Sequence, residues 1–528
     1  MTSYAFKDLF PDVDDSEEDL PEPTVDMLLD AIHGLKFPEA SFHKSPVMEC
    51  TVRGIRYHIG FARTAEVAAA ANEHAQIARA KNARLIMSND IPDEMLAAHV
   101  PYCIWHPDVP SEETCRRLVQ QYPGMKYHVG RTCAVAGYVD LYRELDLLPD
   151  VSIAEEAREA GPASQEIFED ITQRLVRYSV MNDYKLKIDL ENPPKGAVIN
   201  CDAAVKSTLD IRQDVRRCFK GSEALMRRLD GVFDIAEDGG IDDHDTAAQH
   251  NPPLAEHEVP LLYSPLPLDL PTMNKDVLIL MAAYEGNVDR YVRLRRPGMI
   301  PEEAQCVIRG IYHNTTFAKW WSLEVKSCST TTRYQLADIG AAVNARFIMN
   351  NDLSSLFDLP QPYLIWYPLW PQRETLQELA EICPSMRLQV AHACIVADYR
   401  MQYDALQIRP SWILWREAQN SPNPYYKADL ERRSAELGFD VSSTEEENKV
   451  ESAGINYHCT RRDKEPTDRF LWHELPALDM TDLQGAGIYD GGIQANAKDY
   501  NLFICTSAAV RAQLPKIGDG WTLYEWYE

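Results

Sequence analysis

Asn82-Ala83-Arg84-Leu85-Ile86-Met87-Ser88-Asn89-Asp90 returns later in the chain as Asn344-Ala345-Arg346-Phe347-Ile348-Met349-Asn350-Asn351-Asp352. Upstream, Cys50-Thr51-Val52-Arg53-Gly54-Ile55 pairs with Cys306-Val307-Ile308-Arg309-Gly310-Ile311. Pro101-Tyr102-Cys103-Ile104-Trp105-His106-Pro107 pairs with Pro362-Tyr363-Leu364-Ile365-Trp366-Tyr367-Pro368, and Cys133-Ala134-Val135-Ala136-Gly137-Tyr138 with Cys394-Ile395-Val396-Ala397-Asp398-Tyr399. The blocks keep their order at offsets of 256 to 262 positions. That period is too long for a solenoid repeat of roughly 20–50 residues and suits two duplicated domains of ordinary size. Copy 1 is placed at 24–228 and copy 2 at 271–440.

Within copy 1 the alanine-rich Ala65–Ala80 has helical spacing, whereas Arg84–Met87 is a short apolar run closed by the polar Ser88-Asn89-Asp90, read as a strand and turn. Tyr102–Trp105, Met125–Val129 and Thr132–Ala136 read as further strands, and Ser111 opens a helix to about Tyr122. Asp140–Leu148 and Ser164–Tyr178 add helices. Copy 2 repeats the order, with strands at Arg346–Met349, Tyr363–Trp366 and Met386–Val390 and a helix at Glu374–Ile382. Alternating helix and strand predicts an α/β fold: two duplicated α/β domains joined by an acidic linker, with a small strand-rich C-terminal extension at 451–528 (strands at Tyr500–Cys505 and Trp521–Trp526).

The 528 residues carry a net charge of −28, and 45% are hydrophobic, enough for a sizeable core. Nineteen of the excess negative charges lie in residues 1–30 and 229–274. The first reads as an acidic flexible tail over 1–23, the second as an acidic, proline-rich linker over 229–270. A nucleic-acid coat over the whole surface is thereby excluded, while local basic surfaces remain open. Twelve cysteines are scattered without a CxxC pair, the N-terminus lacks the pattern of a secretory signal, and no stretch of 18 apolar residues occurs. These point to reduced thiols, a cytoplasmic location and no membrane partner.

Asn89-Asp90 and Asn351-Asp352 follow the first strand of each copy, where open α/β sheets bind ligands, so they are candidate substrate-binding residues for an amine, guanidinium or ribose; an Asx turn or helix cap is the other reading. Cys103 and His106 form a Cys/His pair in copy 1 alone, with Leu364 and Tyr367 in their place in copy 2; a buried thiol and a strand-end histidine is the alternative. Arg212, Arg216, Arg217, Lys220, Arg227 and Arg228 form a basic stretch that can grip phosphates or stand as a solvated face. Arg290, Arg293, Arg295 and Arg296 form a second. There is no HExxH, P-loop, GxSxG or strand-linked GxGxxG, so zinc, nucleoside-triphosphate and serine-hydrolase chemistry have no support, and no cofactor or metal is expected.

Asp14-Asp15-Ser16-Glu17-Glu18 reads as DDxxE, and on Asp14, Asp15 and Glu18 the chain resembles the fungal arginine-containing cyclodipeptide synthases. The duplicated domains resemble uncharacterised proteins of filamentous fungi. The synthase resemblance implies a tRNA-dependent ligase of secondary metabolism that condenses an arginyl and a second aminoacyl ester into a diketopiperazine, with Asp14, Asp15 and Glu18 catalytic and arginyl-tRNA held by the basic stretch. The ester is already activated, which suits a chain without a P-loop. Asp276–Asp289, with its Ala-Ala-x-x-Gly-Asn-Val-Asp run, is similar to one ankyrin helix pair. From this comes the rival expectation, a non-enzymatic interaction or scaffold protein.

Overall fold

The computed structural model describes residues 25–38, 45–183, 186–203, 259–262, 264–272, 275–296, 299, 303–327, 333–419, 421–443 and 445. These fall into two units, one within Met1–Asn251 plus Pro267–Thr272, the other within Pro252–Leu266 plus Met273–Glu528. The expected α/β class is overturned. Among the described residues the units are built from helices, and the one sheet is a two-stranded antiparallel ladder.

Unit 1 runs α1 (Val25–Ile32), α2 (Ser45–Tyr57), α3 (Ile59–Ala62), α4 (Ala65–Glu73), α5 (Ala75–Met87), α6 (Glu112–Gln121), α7 (Lys126–Ala136), α8 (Val139–Leu145), α9 (Val151–Ala160) and α10 (Gln165–Thr172). The ladder follows: β1 (Met181–Asn182) pairs with β2 (Lys187–Ile188) in the register Met181 to Ile188. Unit 2 runs α11 (Asp276–Glu285), α12 (Val288–Leu294), α13 (Glu303–His313), α14 (Thr315–Ser327), α15 (Arg333–Met349), α16 (Arg373–Ile382), α17 (Arg387–Ala397), α18 (Arg400–Leu406), α19 (Trp412–Ala418) and α20 (Tyr425–Glu436). The paired sequence blocks sit in like elements. Asn89 and Asn351 both adopt left-handed backbone, at φ 66° and 65°, and the peptides before Pro107 and Pro368 are both cis.

Arg84–Met87 and Arg346–Met349, expected as central strands, are the last turns of α5 and α15. Thr132–Ala136 lies in α7, and Met125–Val129 and Met386–Val390 pass from short 3-10 turns into α7 and α17. The cause is burial. In α7 every residue from Tyr127 to Ala134 is buried. A helix packed on all sides loses its 3.6-residue stripe, and its short apolar runs then look like strands. Tyr102–Trp105 and Tyr363–Trp366 are buried irregular segments with bends at their first and last residues, and neither belongs to the sheet among the described residues. The helix expected over Ala65–Ala80 breaks at His74, which ends α4 and starts α5. The strands expected at Tyr500–Cys505 and Trp521–Trp526 lie outside the described residues.

Local signals set the helix ends. Ser111 caps α6, its Oγ accepting from the Thr114 N–H at 3.3 Å, with Glu112 and Glu113 in the first turn. Glycine sets the closest helix crossings. A Cβ on Gly54 of α2 would lie 1.8 Å from the Ala31 carbonyl oxygen of α1, and one on Gly310 of α13 would lie 2.0 Å from that of Ala283 in α11. Only glycine lets those backbones meet. The end of the expected linker is docked in unit 1: Asp269 accepts from the Ile199 N–H at 2.9 Å and pairs with Arg177 at 2.8 Å. No helix among the described residues is long and apolar enough to cross a membrane.

Candidate functional site

The repeated Asn-Ala-Arg motif does structural work. Arg84 Nη1 donates to the Arg56 carbonyl at 3.1 Å, and Arg346 Nη1 donates to the Tyr312 carbonyl at 2.7 Å, so each guanidinium satisfies a carbonyl at the C-terminal end of α2 or α13. Asn82 donates to the His99 carbonyl, and Asn344 to the carbonyls of Leu356, Leu359 and Pro360, holding the loop beyond.

The four proposed substrate-binding residues lie at the ends of α5 and α15, and each has a partner. Asn89 Oδ1 accepts from Ser111 N–H at 2.7 Å and Thr114 Oγ1 at 2.9 Å. Asn351 Oδ1 accepts from Gln372 N–H at 2.6 Å and Thr375 Oγ1 at 3.0 Å. Asp90 pairs with Arg63 at 2.7 Å, both half-exposed. Asp352 accepts from Ser354 N–H at 2.9 Å, and that side-chain and backbone bonding holds its carboxyl below the ordinary value, helped by Lys319. This is the Asx-turn and capping geometry of a helix–turn–helix joint. Asp14, Asp15 and Glu18, and the basic stretch Arg212, Arg216, Arg217, Lys220, Arg227 and Arg228, lie outside the described residues.

Cys103 and His106 meet through their carbonyls, which both accept from the buried Arg56 guanidinium, at 3.3 Å and 2.6 Å. The His106 imidazole instead faces a phenol, with Tyr57 Oη 3.1 Å from Nε2. In unit 2 the two ring types have changed places: His313 stands where Tyr57 does, Tyr367 where His106 does, and their rings lie edge to face at 5.9 Å.

Around the Tyr57–His106 pair, unit 1 gathers basic groups. Arg53 lays its guanidinium 4.2 Å from the Tyr57 ring centroid, and Arg84 bonds Asp108 at 2.6 Å. The Gly34 turn, at φ +62°, packs on His58 so closely that a Cβ there would lie 2.8 Å from the His58 Cβ and 2.9 Å from its ring. Burial lowers the His58 pKa most, and the charges of His33, Arg84 and Arg53 lower it further. Sequence reasoning missed His33, Arg53, Tyr57 and His58 as a group; the one available signal was the tyrosine–histidine exchange between copies. At the same corner of unit 2 the Gly286 turn, φ +65°, packs on Asn314. There an open cleft of about 610 Å³ is lined by Glu285, Asn287, Asp289 and Asn314 among others.

Deeper in unit 1 is a buried ionic cluster. Arg131 Nη1 and Nη2 grip Asp183 at 2.8 and 2.7 Å, and Nη2 reaches Glu156 at 3.1 Å. Tyr102 Oη donates to Asp183 at 2.6 Å, and burial together with the Asp183 charge raises its pKa. Asp150 accepts from four backbone N–H groups, those of Ser152, Ile153, Val180 and Met181, although burial is strong enough to raise its pKa. Among the described residues no three His, Cys, Asp or Glu side chains are grouped to hold a metal ion.

Residues 105–212, about one fifth of the chain, match the family described as the YKP1 C-terminal domain. The matched stretch contains Arg131, Asp150, Glu156 and Asp183. Comparison with curated proteins gives no match, and neither does comparison with solved structures.

Proposed function

We propose that the chain is a non-enzymatic interaction protein that works in the cytoplasm through stacked helical hairpins. One observation carries this reading. Unit 2 opens with two successive hairpins, α11–α12 and α13–α14, each closed by an asparagine cap. Asn287 Oδ1 accepts from Arg290 N–H, and 27 positions on, Asn314 Oδ1 accepts from Thr316 and Phe317 N–H. α11 packs on α13, and α13 on α15. Stacked helix–turn–helix modules bury one face against their neighbours and leave another for a partner. Val292 on α12 and Leu323 on α14 are exposed, at 45% and 71%. The buried free thiols of Cys115, Cys133, Cys383 and Cys394 suit a reducing compartment.

The synthase reading depends on Asp14, Asp15 and Glu18, and on Asp90 and Asp352, whose carboxylates already serve the joints described above. Two measurements separate the readings. A photo-crosslinker at Val292 or Leu323 should capture a discrete partner that the same label at Leu437 does not. Expression in a host that supplies aminoacyl-tRNAs should yield no new cyclic dipeptide. An arginine-containing diketopiperazine that disappears in the Asp14→Asn, Asp15→Asn, Glu18→Gln variant overturns the interaction reading and restores the synthase.

A further inference from the structure

Asp338 stands apart from the other buried charged residues of unit 2. It lies on α15 at 4% exposure, its Oδ2 is sealed from solvent, and no hydrogen-bond donor reaches that oxygen. Ala342, Ala345 and Met349 continue its face of the helix, and all three are buried. α13 and α14 pack on α15, and the titratable groups described on them are engaged elsewhere. On α13, Glu303 takes the Tyr291 hydroxyl with Cys306 nearby, and Arg309 donates to the Tyr284 carbonyl. Tyr312 donates to the Leu364 carbonyl, and His313 faces the Tyr367 ring. On α14, Glu324 pairs with Arg295, and Lys319 is exposed and acts on Asp352. Arg346, two turns along α15, is held by the Tyr312 carbonyl and the Thr315 hydroxyl. The loop that closes over Gly340 through Leu359 and Pro360 carries Asp352 and Asp358, both exposed. An ionised carboxylate at Asp338 has neither a donor nor a cation to hold its charge.

We propose that Asp338 is a pH switch in the core of unit 2: protonated, it packs as a neutral residue, and ionised, it drives α15 away from α13 and α14 to reach water. Burial, the one cause acting on it, pushes its carboxyl from the ordinary 3.8 up to about 7. Between those values the folded state holds the proton and the unfolded state has lost it. The stability this group supports is therefore full below the ordinary value, falls as pH rises and levels off above about 7. Within that window the folding constant drops by up to about tenfold per pH unit. The matching residue of unit 1 is Gln76, which does not titrate, so the switch has no counterpart there. α13 also packs on α11, so the hairpin stack feels the charge whatever it binds.

The test is hydrogen exchange of the full chain at about pH 5 and about pH 8, read on peptides from α13 to α15 and corrected for the intrinsic pH dependence of exchange. The comparison is Asp338→Asn, which keeps the size of the side chain and stays neutral at both pH values. Wild type should lose about a hundredfold more protection than the variant between the two, since about two pH units of the window lie there. Equal losses in the two proteins overturn the switch. Should Asp338→Asn fail to fold, wild type isotope-labelled at its aspartate carboxyls and titrated by NMR gives the answer alone. One aspartate should then titrate near pH 7, and a full set titrating below about pH 5, in the ordinary range, overturns the proposal.

Discussion

The two units put different chemistry into one frame. Trp105 of unit 1 and Trp366 of unit 2 are matched and buried. Against Trp105 stands the guanidinium of Arg131, 5.0 Å from the ring; against Trp366 stands the His392 imidazole, stacked at 4.8 Å. Glu156 and Glu417 are again matched, but Arg131 takes two carboxylates at hydrogen-bond distance while His392 Nδ1 lies 3.9 Å from Glu417. Unit 1 thus buries a guanidinium, a permanent charge that must be compensated, where unit 2 buries an imidazole. The frame comes from apolar packing, glycine crossings and capped joints. The polar occupants are free to diverge, and it is in them that separate roles for the units should be sought.

The largest effect expected from breaking this contrast is at Arg131. Arg131→Met leaves Asp183 and Glu156 buried without their cation and should cost unit 1 about 3–5 kcal/mol. Replacing all three together by apolar residues should recover much of that loss, because the desolvation penalty goes with the charges. Denaturant unfolding, followed by a probe placed in each unit, checks both variants, since two units need not melt in one transition. A loss under about 1 kcal/mol in the single variant would show that the cluster is not the keystone of unit 1.

A smaller effect should appear with pH in unit 1. His128 is buried in α7, and burial pushes its pKa down to about 4; unit 2 carries Gln389 at that position. The unfolded chain binds this proton near pH 6.5. Between about 6.5 and 4 the unfolded state therefore holds more protons than the folded one, and stability falls as pH falls. The stabilisation is fully present above about 6.5, and its loss is on the order of 3 kcal/mol by pH 4. His128→Gln should remove that part of the slope. A slope unchanged in the variant would assign the acid sensitivity to other groups.

What was legible in the sequence follows the same division. Capping signals are local, so Ser111 announced α6 correctly, and the turn at Ser88-Asn89-Asp90 was visible from its residue types. The class of the flanking segment was not. Leu85-Ile86-Met87 is equally apolar in a strand or in a helix enclosed by neighbours, and only tertiary packing decides. The basic corner was hidden for another reason: Gly34 and His58 come together through the α1–α2 crossing, which a Cβ on Gly54 would forbid, and no local spacing reports that approach. Asp183 reaches Arg131 across 52 positions.

The smallest effect concerns Asn89 and Asn351, and it decides between a ligand group and a joint. Each amide oxygen accepts one backbone N–H and one threonine hydroxyl, from left-handed backbone that asparagine tolerates and glycine favours. Asn89→Gly keeps the backbone at ease and removes the two bonds, so it isolates their worth, about 1 kcal/mol, since water can replace part of what is lost. Asn89→Ala adds the strain of a Cβ at positive φ and should cost roughly another 1 kcal/mol. The Asn351 pair should behave alike, because its geometry is the same within a few tenths of an ångström. If these residues existed to hold a substrate, the glycine variants would leave unfolding midpoints unchanged and weaken only ligand binding. Equal losses of stability in both units, with the alanine variant always the worse, would mark both asparagines as the clasp between α5 and α6 and between α15 and α16.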